Sequence, residues 1–240
     1  DWHEAQDVAQ VAGLQLMNKP TGHLTAATYY RVLLGSILSP DIDRVLYLDA
    51  DTIVLSDVRP LFGLDLGTAV IGAALDRGSA QMAAKRGLAR YVNSGVLVMD
   101  LQRWRQGDLA RRCLDFAAQN PDQISYGDQC AINAVCTDLI QVLEPRWNRF
   151  VVSQTRADDA GDAAILHYIT GDKPWQAWYE NDLSFHYWRY LDVSPWAGAV
   201  PVAPTHVGEA RRLARLRFAQ GKPQESVAIY EQILKSLNKS

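Results

Sequence analysis

The sequence is short of cysteine, of net charge and of long apolar runs, and each shortage removes a class of protein. Cys113, Cys130 and Cys136 are its only cysteines. Their number is odd and their spacing is not that of zinc ligands. Reduced thiols in a cytosolic compartment are therefore expected, not a disulfide framework. With 24 Lys and Arg against 27 Asp and Glu, the net charge is −3. A nucleic-acid footprint needs a basic face, so that class is excluded. No apolar run approaches the ~18 residues of a transmembrane helix. The chain opens Asp1-Trp2-His3-Glu4, without Met and without the charged-then-apolar pattern of a signal peptide. It reads as a processed product or a piece of something longer. What is present, 48% hydrophobic and 21% charged residues, suits one sizeable core with a small appendage.

The apolar run Val45-Leu46-Tyr47-Leu48, bounded by charged residues, predicts a buried strand. It stops at Asp49 and Asp51. While the chain stays extended, alternate side chains share a face, so the two carboxylates can converge on one cation or phosphate. Left bare at a buried strand end, they would repel each other and cost several kcal/mol, roughly, to desolvate. A hard divalent cation, Mg²⁺ or Mn²⁺, is the simplest remedy. The plainer reading is a strand end followed by a solvated, Asp-rich turn. Asp49-Ala50-Asp51-Thr52-Ile53 also comes close to the Asp-x-Asp-x-Thr of haloacid-dehalogenase-type phosphatases, with Ile53 where that motif has its Thr. Nucleotide-sugar glycosyltransferases instead use Asp-x-Asp to hold Mn²⁺ against a diphosphate. The motif alone leaves both open.

Residues 1–20 are mixed and end at the turn signal Lys19-Pro20-Thr21-Gly22. Residues 24–38 have helical spacing, with Thr21 or Thr25 able to cap the start. Arg31 inside that helix reads as a surface residue with a snorkelling stem, a carboxylate or phosphate partner being the alternative. Residues 57–62 suggest a short helix or turn. Residues 68–75 predict a second buried strand closing at Asp76, and 96–100 a third, entered through Tyr91-Val92-Asn93-Ser94-Gly95. Residues 101–120 are helical, with Trp104, Leu109, Cys113, Leu114, Phe116 and Ala117 facing the core. Tyr126-Gly127-Asp128-Gln129 opens another helix, with Ala131, Ile132, Ala134 and Val135 inside. Trp147-Asn148 belongs to a loop, and 163–168 form a last strand. A lone histidine such as His167 is more often a hydrogen-bonded core residue than a ligand. Six residues later, however, Lys173 sits between Gly171-Asp172 and Pro174-Trp175, which suits a diphosphate. Strands alternating with helices predict an α/β sheet, whose ligands gather at the carboxyl ends of the strands near Asp51, Asp76 and Asn93. Residues 204–240 hold two helical patterns and no strand.

Four stretches in order carry a resemblance. They are Thr28-Tyr29-Tyr30-Arg31; Arg44-Val45-Leu46-Tyr47-Leu48-Asp49-Ala50-Asp51; Asn93-Ser94-Gly95-Val96-Leu97; and His167-Tyr168 with Lys173-Pro174-Trp175. Asp128-Gln129 adds a shorter fifth. Over about residues 20–178 the chain resembles the family 8 retaining glycosyltransferases, the group of lipopolysaccharide galactosyl- and glucosyltransferases and glycogenin. The resemblance implies a GT-A-type, Rossmann-like mixed sheet flanked by helices, here without the family's first strands, plus a C-terminal helical hairpin. The chain is then expected to be a fragment, with an open sheet edge and weak or no UDP binding by itself, even with Mn²⁺. Residues 1–203 would be the transferase domain. In 204–240, Ala219, Gly221, Ser226, Ala228, Tyr230 and Leu234 resemble a tetratricopeptide repeat able to take a protein partner.

By the same resemblance the donor is UDP-glucose or UDP-galactose and the acceptor a saccharide or glycolipid. Asp49, Asp51 and His167 would hold Mn²⁺, with Mg²⁺ as the alternative. Lys173 and Gly171 would bind the diphosphate side of the donor, and Arg31 and Asp76 its sugar. Asn93, Ser94, Asp128 and Gln129 would surround the anomeric carbon, the last two stabilising charge there. The implied location is cytoplasmic, with a peripheral place at the inner membrane face as a second reading. Two rivals stand beside this one, a non-catalytic binding module on the same fold and the phosphatase.

Overall fold

The computed structural model describes residues 26–237. The mixed segment 1–20, its closing turn, the caps at Thr21 and Thr25 and the expected helix start at residue 24 lie outside the described residues. The strands are β1 (Arg44–Leu48), β2 (Thr52–Val54), β3 (Ile71–Ala74), β4 (Val96–Asp100), β5 (Ile140–Leu143), β6 (Arg149–Phe150) and β7 (Ile165–His167). The helices are α1 (Leu34–Ile37), α2 (Arg59–Phe62), α3 (Ser79–Arg86), α4 (Leu101–Gln106), α5 (Leu109–Gln119), α6 (Asp128–Val135), α7 (Ser184–Leu191), α8 (Val207–Ala219) and α9 (Pro223–Leu237). None of them is long and apolar enough to cross a membrane. The chain divides into two compact units, residues 1–50 with 56–148, and residues 51–55 with 149–240.

The first unit is built on a mixed sheet of order β1-β4-β3-β5. Its inner strands, β3 and β4, are buried along their length up to the half-buried Asp100 that ends β4. β4 runs antiparallel to both β1 and β3, whereas β3 and β5 are parallel. This changes the expected placement of the ligand groups. Asn93 precedes β4 and so sits at a strand's amino end, yet the reversed direction brings that end beside the carboxyl ends of β1 and β3. Asp49, Asp76 and Asn93 therefore share one edge of the sheet.

The expected helix over 24–38 does not form as one piece. A 3-10 turn at Ala26–Tyr29 is followed by i→i+3 bonds from Val32 to Tyr29 and Leu33 to Tyr30, and only then by α1. The tighter winding puts Tyr29 and Val32 one turn apart on the same side, and both are buried. The helix over 101–120 also breaks, at Gly107-Asp108, where Asp108 takes a left-handed φ of 50°. Asp100 caps its first half by accepting from the Arg103 N–H at 2.8 Å. Its core face is as predicted: Trp104, Leu109, Cys113 and Ala117 are buried, with Leu114 and Phe116 packed beside them. In α6 the fully buried residues include Cys130, Ala131, Ile132 and Asn133, while Ala134 and Val135 are half-buried. Asn133 is polar but complete. It accepts from the Val92 N–H at 2.7 Å and donates to the Val92 carbonyl at 2.8 Å, mimicking a neighbouring strand.

The second unit carries a three-stranded sheet of order β2-β7-β6, with Thr52 opposite His167 in the antiparallel pair. Val151, Ala163, Leu166, Tyr168 and Leu183 form its core. The C-terminal helices pair as expected. Gly221 turns the chain between them at φ 74°, and Ala214, Leu216, Ser226 and Ile233 are buried. Of the positions that suggested a tetratricopeptide repeat, Ser226 is buried, whereas Ala219, Ala228, Tyr230 and Leu234 are exposed.

Candidate active site

In the first unit, Arg31 is the centre of a buried cluster. Its side chain is 10% exposed, which overturns the surface reading: a helical pattern broken at Arg31 turns that residue inward, where carboxylates can neutralise it. Nη1 donates to the Ser94 carbonyl at 2.6 Å and lies 3.0 Å from Asp49 Oδ1. Nε lies 2.8 Å from Asp128 Oδ2, an ion pair without an aligned hydrogen bond. One cation thus faces two carboxylates. Burial pushes the Asp128 carboxyl up to about 7, against the pull of Arg31 and with the Asp49 charge adding to the rise. A single proton on Asp128 leaves the trio neutral.

Asp128 and Gln129 begin α6 and reach different partners, Asp128 the Arg31 guanidinium and Gln129 the Asp76 carboxylate and the Asn93-Ser94 turn. The Gln129 Nε2 donates to Asp76 Oδ2 at 2.8 Å, and its Oε1 accepts from the Ser94 N–H at 3.1 Å and from Asn93 Nδ2 at 3.2 Å. An amide oxygen taken up by two donors is a weak nucleophile. The amide serves instead to tie Asp76 to the Asn93-Ser94 turn. Asn93 Oδ1 in turn accepts from the Gly95 N–H and from Asn148 Nδ2, each at 2.9 Å. Asn148 lies in a 3-10 turn, Pro145–Asn148, not in the loop predicted for it.

In the second unit, three predicted residues meet. Asp51 Oδ1 is 3.2 Å from His167 Nε2, and Oδ2 is 2.6 Å from Lys173 Nζ. Burial would raise the Asp51 carboxyl, but hydrogen bonds and charge from His167 and Lys173 more than offset it and hold it down at about 2. Lys173 also donates to the Tyr168 carbonyl at 2.7 Å. His167 is buried, edge-on to Phe150. A Cβ on Gly171 would meet nothing within 4 Å, so the backbone there is open to approach. Asp172 beside it is tied down by Trp178 Nε1 at 2.9 Å and by an ion pair from Arg212 on α8.

The division between the units falls inside the Asp-x-Asp motif, with Asp49 in the first and Asp51 in the second, joined through Ala50. Sequence reasoning missed Tyr47, Asn133, Asn148 and Arg212. Only Tyr47 left a trace, as a hydroxyl-bearing residue on the same strand face as Asp49.

Residues 6–179 match the model of glycosyl transferase family 8. The chain belongs to that family. The phosphatase alternative falls with this match, since one glycosyltransferase model covers every motif from Arg31 to Lys173. Its relatives include the general stress protein A of Bacillus subtilis, 26% identical over 73% of this chain and 68% of that protein. The lipopolysaccharide 1,2-glucosyltransferase of Escherichia coli is 26% identical over 73% of this chain and 56% of its own length. Among solved structures, a galactosyltransferase, LgtC, in complex with donor and acceptor sugar analogues superposes with a TM-score of 0.62. It is 26% identical and covers 82% of this chain and 74% of its own. This family 8 chain thus has the mixed α/β architecture of GT-A glycosyltransferases, and spans little more than half of one curated relative.

Proposed function

We propose that this chain carries the donor-diphosphate and transfer machinery of a retaining hexosyltransferase. It would move a hexose from UDP-glucose or UDP-galactose to a saccharide or glycolipid acceptor. The observation that carries the reading is Asp51, held ionised between His167 and Lys173. A carboxylate kept charged by an imidazole on one oxygen and an ammonium on the other suits a place where a cation and a diphosphate meet. The activities for which the relatives are named, glucosyl and galactosyl transfer, support the hexose.

The donor set fits a divalent cation. Asp49 and Asp51 offer carboxylate oxygens and His167 an imidazole nitrogen, and no cysteine belongs to the motifs, which favours Mn²⁺, or Mg²⁺ as second choice, over tetrahedral zinc. Bound there, such an ion would neutralise the charge of the departing diphosphate. Lys173 would bind the β-phosphate, with the open backbone at Gly171 beside it. Arg31 would use its second terminal nitrogen, and Asp76 its carboxylate, to orient the sugar. Asp128 and Gln129 would stabilise charge at the anomeric carbon from the start of α6, and Asn93 and Ser94 would hold that geometry. Calorimetry tests this. UDP should bind only with Mn²⁺ present, and His167→Ala should abolish that Mn²⁺-dependent binding without unfolding the chain. UDP binding by the parent that is indifferent to Mn²⁺ removes the metal reading, and no binding by a form extended by the upstream residues favours the non-catalytic module.

A further inference from the structure

Tyr47 lies on β1 two residues before Asp49, so both side chains leave the same face of the strand. Its hydroxyl donates to Asp49 Oδ1 at 2.7 Å. Arg31 Nη1 reaches the same oxygen at 3.0 Å, and the Arg31 guanidinium stacks 4.7 Å above the Tyr47 ring. Phenol, guanidinium and carboxylate therefore close a ring of three contacts. Two donors converging on Oδ1 fix the side-chain torsion of Asp49, and with it the direction of Oδ2. Packing does not ask for the hydroxyl: a phenyl ring would fill the same half-buried space beneath Arg31. The oxygen's role is directional.

We propose that Tyr47 is a positioning residue whose hydroxyl sets the orientation in which Asp49 meets a divalent cation. This rests on the reading of Asp49 as a cation ligand. Outer hydrogen bonds to ligating groups typically govern affinity by roughly 10–100-fold. Tyr47 itself touches neither the cation nor the donor sugar. It acts only through the carboxylate.

The test is Mn²⁺ binding to the full chain, followed by the electron paramagnetic resonance of the free ion. Tyr47→Phe removes the donor and keeps the ring under Arg31. It should bind Mn²⁺ about tenfold more weakly than the parent, with the thermal midpoint of the metal-free protein unchanged. Asp49→Ala should lose the ion. Tyr47→Leu, which also removes the ring, separates packing from hydrogen bonding: equal losses in Phe and Leu assign the effect to the hydroxyl. Parental affinity in Tyr47→Phe overturns the inference, even where Leu binds poorly. So does a fall in the metal-free midpoint with affinity intact. Parental affinity in Asp49→Ala, or no Mn²⁺ binding by the parent, overturns the metal reading and this inference with it.

Discussion

A buried guanidinium between two carboxylates has to settle how many of them stay ionised. At Arg31, the balance falls on one, because the Asp128 carboxyl is 1% exposed and Asp49 is 25% exposed. The drier group is the one that burial pushes toward holding the proton. The consequence for stability follows from linkage. Asp128 titrates at about 7 in the folded chain against 3.8 as its ordinary value, so the native state binds the extra proton. Its contribution is fully present below about pH 4 and is lost as pH rises through 7. Asp128→Asn keeps the trio neutral and has nothing to titrate. Denaturant unfolding at pH 5 and pH 8 should therefore show the parent losing on the order of 2–4 kcal/mol relative to this variant. Equal changes in both proteins would mean that Asp128 is ionised throughout.

Elements in this protein are held by side chains that substitute for missing backbone partners. Asn133 on α6 pairs with both backbone groups of Val92, just ahead of β4, and so fixes the turn that carries Asn93 and Ser94. Asn133→Ala would leave a buried N–H and a buried C=O unpaired. A loss of about 2–4 kcal/mol is expected by chemical denaturation, most of it desolvation cost and not the strength of the bonds themselves. A loss under about 1 kcal/mol would show that water reaches Val92. In the second unit Arg212 does similar work from α8. It pairs with Asp172 and lies 5.9 Å over the Trp178 ring, anchoring the loop that presents Lys173. The C-terminal helices are therefore tied to the chemistry through one loop. How much of this was legible differs by type of contact. Helix faces followed from apolar spacing, as in α5, but Asn133 and Arg212 act over 40 residues of sequence, and no local pattern marks such partners.

Each unit has its own apolar core, one around Ile71, Leu97, Met99 and Trp104 and one around Leu166 and Tyr168. Neither core contains the groups assigned to a cation. Chelation should therefore leave the fold intact, while Mn²⁺ with UDP should raise the thermal midpoint by mass action. At a hundredfold excess over Kd the stabilisation is about 2.7 kcal/mol. Thermal scans with EDTA, with Mn²⁺ and with Mn²⁺ plus UDP check this, and a chain that unfolds in EDTA would make the metal structural.

The sequence alone determined the fold class, the apolar strands β1, β3, β4 and β7, the paired helices at the end and the identity of the polar groups at the sheet edge. Those features are local: burial leaves its period in the chain, and Asp49 with Asp51, or His167 with Lys173, are neighbours in sequence. The burial that the sequence implied for β1 does not hold, because β1 is the outer strand of its sheet and is half-buried along its length. Tertiary structure decided three further things. It set strand direction, since an apolar run reads alike in either sense, and so placed Asn93 beside Asp49 and Asp76. It decided that Arg31 is buried, because a charged residue in a helical pattern becomes an inward one only when carboxylates 18 and 97 residues away in sequence arrive to neutralise it. It also turned the Tyr47 hydroxyl onto Asp49. Alternation allowed that contact, but only the placement of Arg31 over the ring closes it.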